Sequence, residues 1–126
     1  MIALGHVMRA LGEPQLAINA YTDALQIQQG MRYVEIISDA LEGLAGIAAA
    51  RRDPARAAQL FGAAQAHRET HATQRLQHLD AVYARDLALA RSQLTRAQWE
   101  AAWKRGYSMS IDQVAAYALL EHSDAG

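Results

Sequence analysis

The sequence predicts an all-α fold of antiparallel helical hairpins stacked in register and closed by a C-terminal capping helix. Three observations predict it. Alanine and leucine dominate, followed by glutamine and arginine, and all four are strong helix formers. Valine, isoleucine and threonine are too sparse to build a sheet. The two prolines, Pro14 and Pro54, lie 40 residues apart, and the residues around them recur at the same spacing.

The repeat is specific. Leu4-Gly5 pairs with Leu44-Ala45, Ala17 with Ala57, Tyr21 with Phe61 and Ala24 with Ala64. Ala97 begins a weaker third copy whose aromatic slot holds Ala101, with Trp99 and Trp103 nearby to fill the space. The helices expected are about 2–11, 14–29, 32–51, 54–71, 75–92, 96–105 and 111–121. They make one domain over 1–126, with units at about 1–29, 32–71 and 75–105 and a cap at about 111–121. Leu4, Met8, Ala17, Tyr21, Leu44, Ala57, Phe61 and Ala64 form the expected core.

Each boundary has a local reason. Asp53 is a good N-cap, and Pro54 suits the first helical position, where its missing N–H costs nothing. Glu13-Pro14 repeats the arrangement with a weaker cap. Gly30 fits a helix C′ position. In the third helix, Ile37, Leu41, Leu44 and Ala48 recur at i, i+4, i+7 and i+11, an apolar stripe. Glu35, Asp39 and Glu42 lie nearly opposite, so this helix reads as amphipathic with an open acidic side. On that reading Glu42→Lys leaves stability nearly unchanged. Thr95 caps the tryptophan helix, and Ser110 with Gln113 forms a capping box before the last one.

Composition excludes several function classes. There is no cysteine, which removes disulfides and thiolate chemistry. The net charge of −1 gives no basic footprint for nucleic acid. No apolar run approaches the ~18 residues of a membrane span. Arg9, Glu13 and Asn19 interrupt any signal-peptide pattern. The expected location is the cytoplasm. No phosphate-binding glycine loop, nucleophile elbow or His-Glu-x-x-His motif occurs, so neither catalysis nor a cofactor is expected. His67, His71 and His78 would share a stripe only on one unbroken helix, and no carboxylate completes it. His67 and His71 read as helix-end cations, His78 leaves the stripe if the chain turns near Ala72 to Gln77, and no metal site is expected. Trp99 and Trp103 share a face that suits core packing, or alternatively a subunit interface.

The repeated positions resemble the tetratricopeptide signature: Leu4, Gly5 and Met8 with Ala17, Tyr21 and Ala24, then Leu44, Ala45 and Ala48 with Ala57, Phe61 and Ala64. The resemblance implies a right-handed array. The 40-residue spacing exceeds the usual ~34 and implies longer helices. The stretch from about Leu41 to Leu120 is also similar to the C-terminal helical repeats of large bacterial signalling ATPases, including LuxR-type regulators and adenylate-cyclase-like proteins. The residues that carry this are Leu41-Glu42-Gly43-Leu44-Ala45-Gly46, Arg52-Asp53-Pro54, Ala57 to Ala64, Ala102-Trp103 and Ser108 to Leu119. The chain departs from those proteins at Ala72 to Gln77, where they carry glycine and prolines.

That resemblance implies a protein-interaction and signal-coupling role within a regulator, or alternatively an inducer-sensing one. It places Asp39 and Glu42, with His6, Arg9 and Gly46, along a concave groove. An acidic groove, with Glu35 on the same stripe, would suit a protein or peptide of basic character; the bland alternative is a solvated face. The first helix opens mid-unit, whereas the C-terminal end carries a distinct finish. A twofold dimer burying Ile2 and Leu4 is therefore a further expectation.

Overall fold

A computed structural model describes residues 2–31, 34–110 and 112–118; for 27–31 and 34–35 it describes the backbone only. The helices are α1 (Ile2–Ala10), α2 (Pro14–Met31), α3 (Val34–Ala50), α4 (Pro54–His71), α5 (Asp80–Ser92) and α6 (Arg96–Tyr107), with a 3-10 turn at Gln77–Leu79 before α5. Residues 112–118 form a further helix, α7, and no strand occurs among the described residues.

The 40-residue repeat survives at the level of single hydrogen bonds. In the α1–α2 turn, the N–H of Gly12 donates to the Arg9 carbonyl (3.1 Å) and that of Glu13 to Met8 (2.8 Å). In the α3–α4 turn, Arg52 donates to Ala49 (3.2 Å) and Asp53 to Ala48 (2.9 Å). Each pair is a Schellman closure, which requires a left-handed residue at the turn. Gly12 (φ 76°) and Arg52 (φ 61°) occupy that position. Glu13 and Asp53 then open the next helix, and the Asp53 carboxylate accepts from the Arg56 N–H.

α3 is the central element. It packs against α1, α2, α4 and α5, and every position from 37 to 49 is buried. Small residues let the neighbours approach. The Tyr21 ring sits between Gly5 and Gly43, where added Cβ atoms would fall 2.6 and 2.3 Å from it. Its register counterpart Phe61 meets Tyr83 edge-on instead, with ring centres 5.6 Å apart.

α4 and α6 cross more closely still. A Cβ on Gly106 would lie 1.7 Å from the Gln59 carbonyl oxygen, and one on Gly62 would lie 2.2 Å from that of Trp103. Both capping boxes are present: Thr95 with Gln98 and Ser110 with Gln113.

Three expectations are corrected. Leu4 is 48% exposed, although its counterpart Leu44 is only 2% exposed. α2 runs on through Gly30 to Met31, so Gly30 does not end it. The helix expected over 75–92 begins at Asp80, because Ala72 adopts a left-handed conformation (φ 53°) and ends α4. That break also separates His78, on the 3-10 turn, from His67 and His71 on α4. The last residues of the expected cap, 119–121, lie outside the described residues.

The α4–α6 crossing is the tightest backbone contact between these helices and has no room to relax through a side chain. Gly106→Ala should therefore cost at least the ~3 kcal/mol at the upper end of core overpacking. Urea denaturation measures it, and an unchanged midpoint would mean that the helices stand further apart.

Candidate functional site

The polar residues of α3 do not face solvent. Asp39 and Glu42 are each only 8% exposed. They meet two arginines, Arg68 on α4 and Arg75 in the segment that follows it. Arg68 donates from Nε to Glu42 (2.9 Å) and from Nη2 to Asp39 (2.7 Å) and Glu42 (3.1 Å). Arg75 grips Glu42 through Nε and Nη2, both at 2.8 Å. Its guanidinium also lies 3.5 Å from the centre of the Tyr83 ring. Two carboxylates and two guanidiniums thus balance within the fold.

The two carboxylates respond differently. Burial pushes Glu42 up, but hydrogen bonds from Arg75 and Arg68 outweigh it and hold Glu42 below its ordinary value. Burial prevails at Asp39, which is raised despite its bond from Arg68. A second pair lies nearby: Arg9 on α1 donates to Asp86 on α5 at 2.7 Å. Gly46 leaves space for that pair, since its Cβ would fall 2.4 Å from the Asp86 carboxylate and 2.5 Å from Arg9. His6 Nδ1 bonds the Tyr21 hydroxyl at 2.7 Å, and its Nε2 is buried without a hydrogen-bond partner.

The structure brings His6, Arg9, Asp39, Glu42 and Gly46, the residues that the tetratricopeptide resemblance set along a groove, to one place. The side chain of Glu35 lies outside the described residues. The expected open acidic stripe is corrected at Asp39 and Glu42: α5 and Arg75 close over them. Their negative charge, which pointed to a basic peptide, is taken up within the chain. The remaining cavity, bordered by His6, Arg9, Asp39, Glu42, Arg75 and Asp86, is about 30 Å³. That is room for a water or two, far below an inducer-sized site.

Arg68 and Arg75 were missed, and the part played by His67 was misread. His67 is buried, with Nδ1 2.9 Å from the Ser38 hydroxyl. Burial, then His71 and Arg68, push its pKa down to about 4, so it is neutral near pH 7 and not the helix-end cation expected. The described residues hold no group of three or more His, Asp or Glu placed for a metal ion.

A larger cleft of about 710 Å³ lies beside α5 and α6. Leu87, Leu94, Trp99 and Trp103 line it together with Arg91, whose guanidinium lies 5.6 Å from the centre of the Trp99 ring.

Fold and site together define an all-helical segment of repeated hairpins with a closed, charge-balanced polar interior. Over 121 residues, 94% of its length, the chain is 31% identical to proteins of Mycobacterium bovis and two strains of Mycobacterium tuberculosis, each named "Putative HTH-type transcriptional regulator". It spans 14% of the length of those relatives. No family model and no solved structure matches it. Among the described residues no helix is long and apolar enough to cross a membrane.

Two outcomes follow from the buried charges. Glu42→Lys should cost about 3–5 kcal/mol, because it removes the anion that two guanidiniums share. Thermal unfolding measures this, and a loss below about 0.5 kcal/mol would restore the open stripe. His67 supplies a pH signature. Its folded pKa lies below its unfolded value of 6.5, so its contribution is present above pH 6.5 and is lost as pH falls toward 4. The loss is about 3 kcal/mol at most. His67→Gln should flatten stability between those limits; an unaltered pH profile would place the titrating group elsewhere.

Proposed function

We propose that the chain is a protein-interaction and signal-coupling segment of a bacterial transcriptional regulator, built as a tetratricopeptide-like array. The observation that carries this is the hydrogen-bond-for-hydrogen-bond repetition of the hairpin turn, in a chain similar along most of its length to a segment of named regulators. Stacked hairpins bury one continuous core and present long outer surfaces to other proteins. On this reading the segment works in the cytoplasm and neither catalyses a reaction nor contacts DNA. Its partners are other parts of a regulator.

A direct test uses the Mycobacterium tuberculosis relative expressed without the matching stretch. The isolated chain should bind that remainder saturably in the micromolar range by calorimetry. Absence of binding, or binding of operator DNA by the chain alone, would sink the reading.

One feature favours a second reading, an effector-sensing segment. The cleft beside α5 and α6 is large enough for a small molecule, and both of the chain's tryptophans line it. Saturable change in tryptophan emission with a candidate effector would favour that reading over the first.

A further inference from the structure

Half of the large apolar side chains exposed among the described residues fall within thirteen positions: Leu4, Val7, Leu11 and Leu16, each 48–68% exposed. Leu4, Val7 and Leu11 stand at i, i+3 and i+7, so they share one face of α1 and the turn that ends it. The opposite face is engaged: Gly5 is packed on the Tyr21 ring, and Arg9 is bonded to Asp86.

The internal repeat shows what kind of element such a face takes. Forty residues on, Leu44 and Ile47 occupy the positions of Leu4 and Val7, and they are 2% and 4% exposed. α3, which carries them, packs against the second helix of its own hairpin, α4, and the first helix that follows, α5. α1 has both counterparts, α2 and α3. In addition α3 packs against the hairpin before it, chiefly α2, and α1 has no such neighbour among the described residues. The difference between the two copies is thus an α2-like helix, together with the burial of two apolar side chains.

We propose that the Leu4–Val7–Leu11 face of α1 is a docking surface for one amphipathic helix of the α2 type. Such a helix carries alanines at three- and four-residue steps with isoleucine and leucine beside them, as Ala17, Ala20 and Ala24 stand with Ile18 and Leu25 here. The partner is apolar at the contact, because no charged side chain interrupts the stripe. This rests on the reading of the chain as a hairpin array and names the surface through which it extends.

The test supplies the occupant from the chain itself. Residues 1–40 are fused ahead of Met1, which keeps the 40-residue register and sets a second copy of α2 before α1. The extended protein should melt about 5 °C above the 126-residue chain. Val7→Glu, made in the copy of α1 that then lies inside the array, should leave the 126-residue chain unchanged and lower the extended one by a similar amount. Leu4→Gln should behave in the same way. If the extended protein shows no cooperative transition, a labelled peptide of residues 14–31 replaces the fusion. It should bind the 126-residue chain saturably by fluorescence anisotropy and lose that binding with Val7→Glu.

An extension that leaves the midpoint where it was, or binding and stability indifferent to Val7 and Leu4, would overturn the proposal. So would a concentration-dependent dimer in sedimentation that Val7→Glu abolishes, since the face would then belong to a second copy. None of these readouts involves a regulator, so failure of regulator binding leaves the surface standing, and the converse also holds.

Discussion

The burial of α3 on every side is the constraint from which the rest of the molecule follows. Thirteen consecutive positions, 37 to 49, are withdrawn from water. An amphipathic helix can do that only if its polar side finds partners inside the fold, because an unpaired buried carboxylate is prohibitively costly. Ser38 meets His67, Asp39 meets Arg68, and Glu42 meets both Arg68 and Arg75. These bonds decide where α4 ends its useful surface and where the chain goes next. Arg75 reaches back to Glu42 from the segment after α4 and lies against Tyr83 on α5. The loop between α4 and α5 is thereby fastened to the central helix, and α5 is set over it.

Close packing supplies the complementary half of that constraint. Charges hold α3 on one side; on the others, small residues permit contact distances that no larger side chain would allow. Tyr21 is seated between two glycines, and α4 and α6 each bring a glycine against the other's backbone carbonyl. Such crossings are specific, because a single methyl group must displace main-chain atoms. Between the two copies of the repeat, the aromatic residue and the residue opposite it change together. Tyr21 faces Gly43, whereas Phe61, one repeat on, faces Tyr83.

The hairpins and their ends were legible because local chemistry determines them. Pro14 and Pro54 mark the register, Asp53 caps its helix, and the Thr95 and Ser110 boxes lie where their residues require. The burial of Asp39 and Glu42 was not legible. A stripe of acids opposite an apolar stripe reads as a wet face, and the arginines that neutralise it stand 26 to 33 positions away. Nor does alanine announce a left-handed turn, so the break at Ala72 left no trace in composition. Leu4 was misplaced for a related reason. Hydrophobic periodicity identifies which face of a helix seeks cover but not whether a neighbour is there to provide it. The grouping of His6, Arg9 and Gly46 followed from the tetratricopeptide resemblance, and in the fold Arg9 reaches the Gly46 backbone while His6 borders the same small cavity.

The burial of Asp39 and Glu42 and the exposure of Leu4, taken together, relocate the surfaces open to recognition. Had the acidic stripe been open, electrostatics would select the partner, and a basic segment would be favoured. With those charges spent on Arg68 and Arg75, the polar groove offers a partner little free charge and almost no volume. The apolar side chains left uncovered on α1 do offer a driving force, since removing apolar surface from water is favourable whatever the partner's charge. Specificity at such a face comes from shape: side chains at i, i+3 and i+7 form a ridge against which a helix packs, and a strand or an irregular loop would leave backbone groups unsatisfied against it. The array reading and the α1 surface therefore share one physical basis. With the acidic stripe of α3 closed inward, the driving force left at this end of the chain is apolar contact of the kind that already joins its own helices.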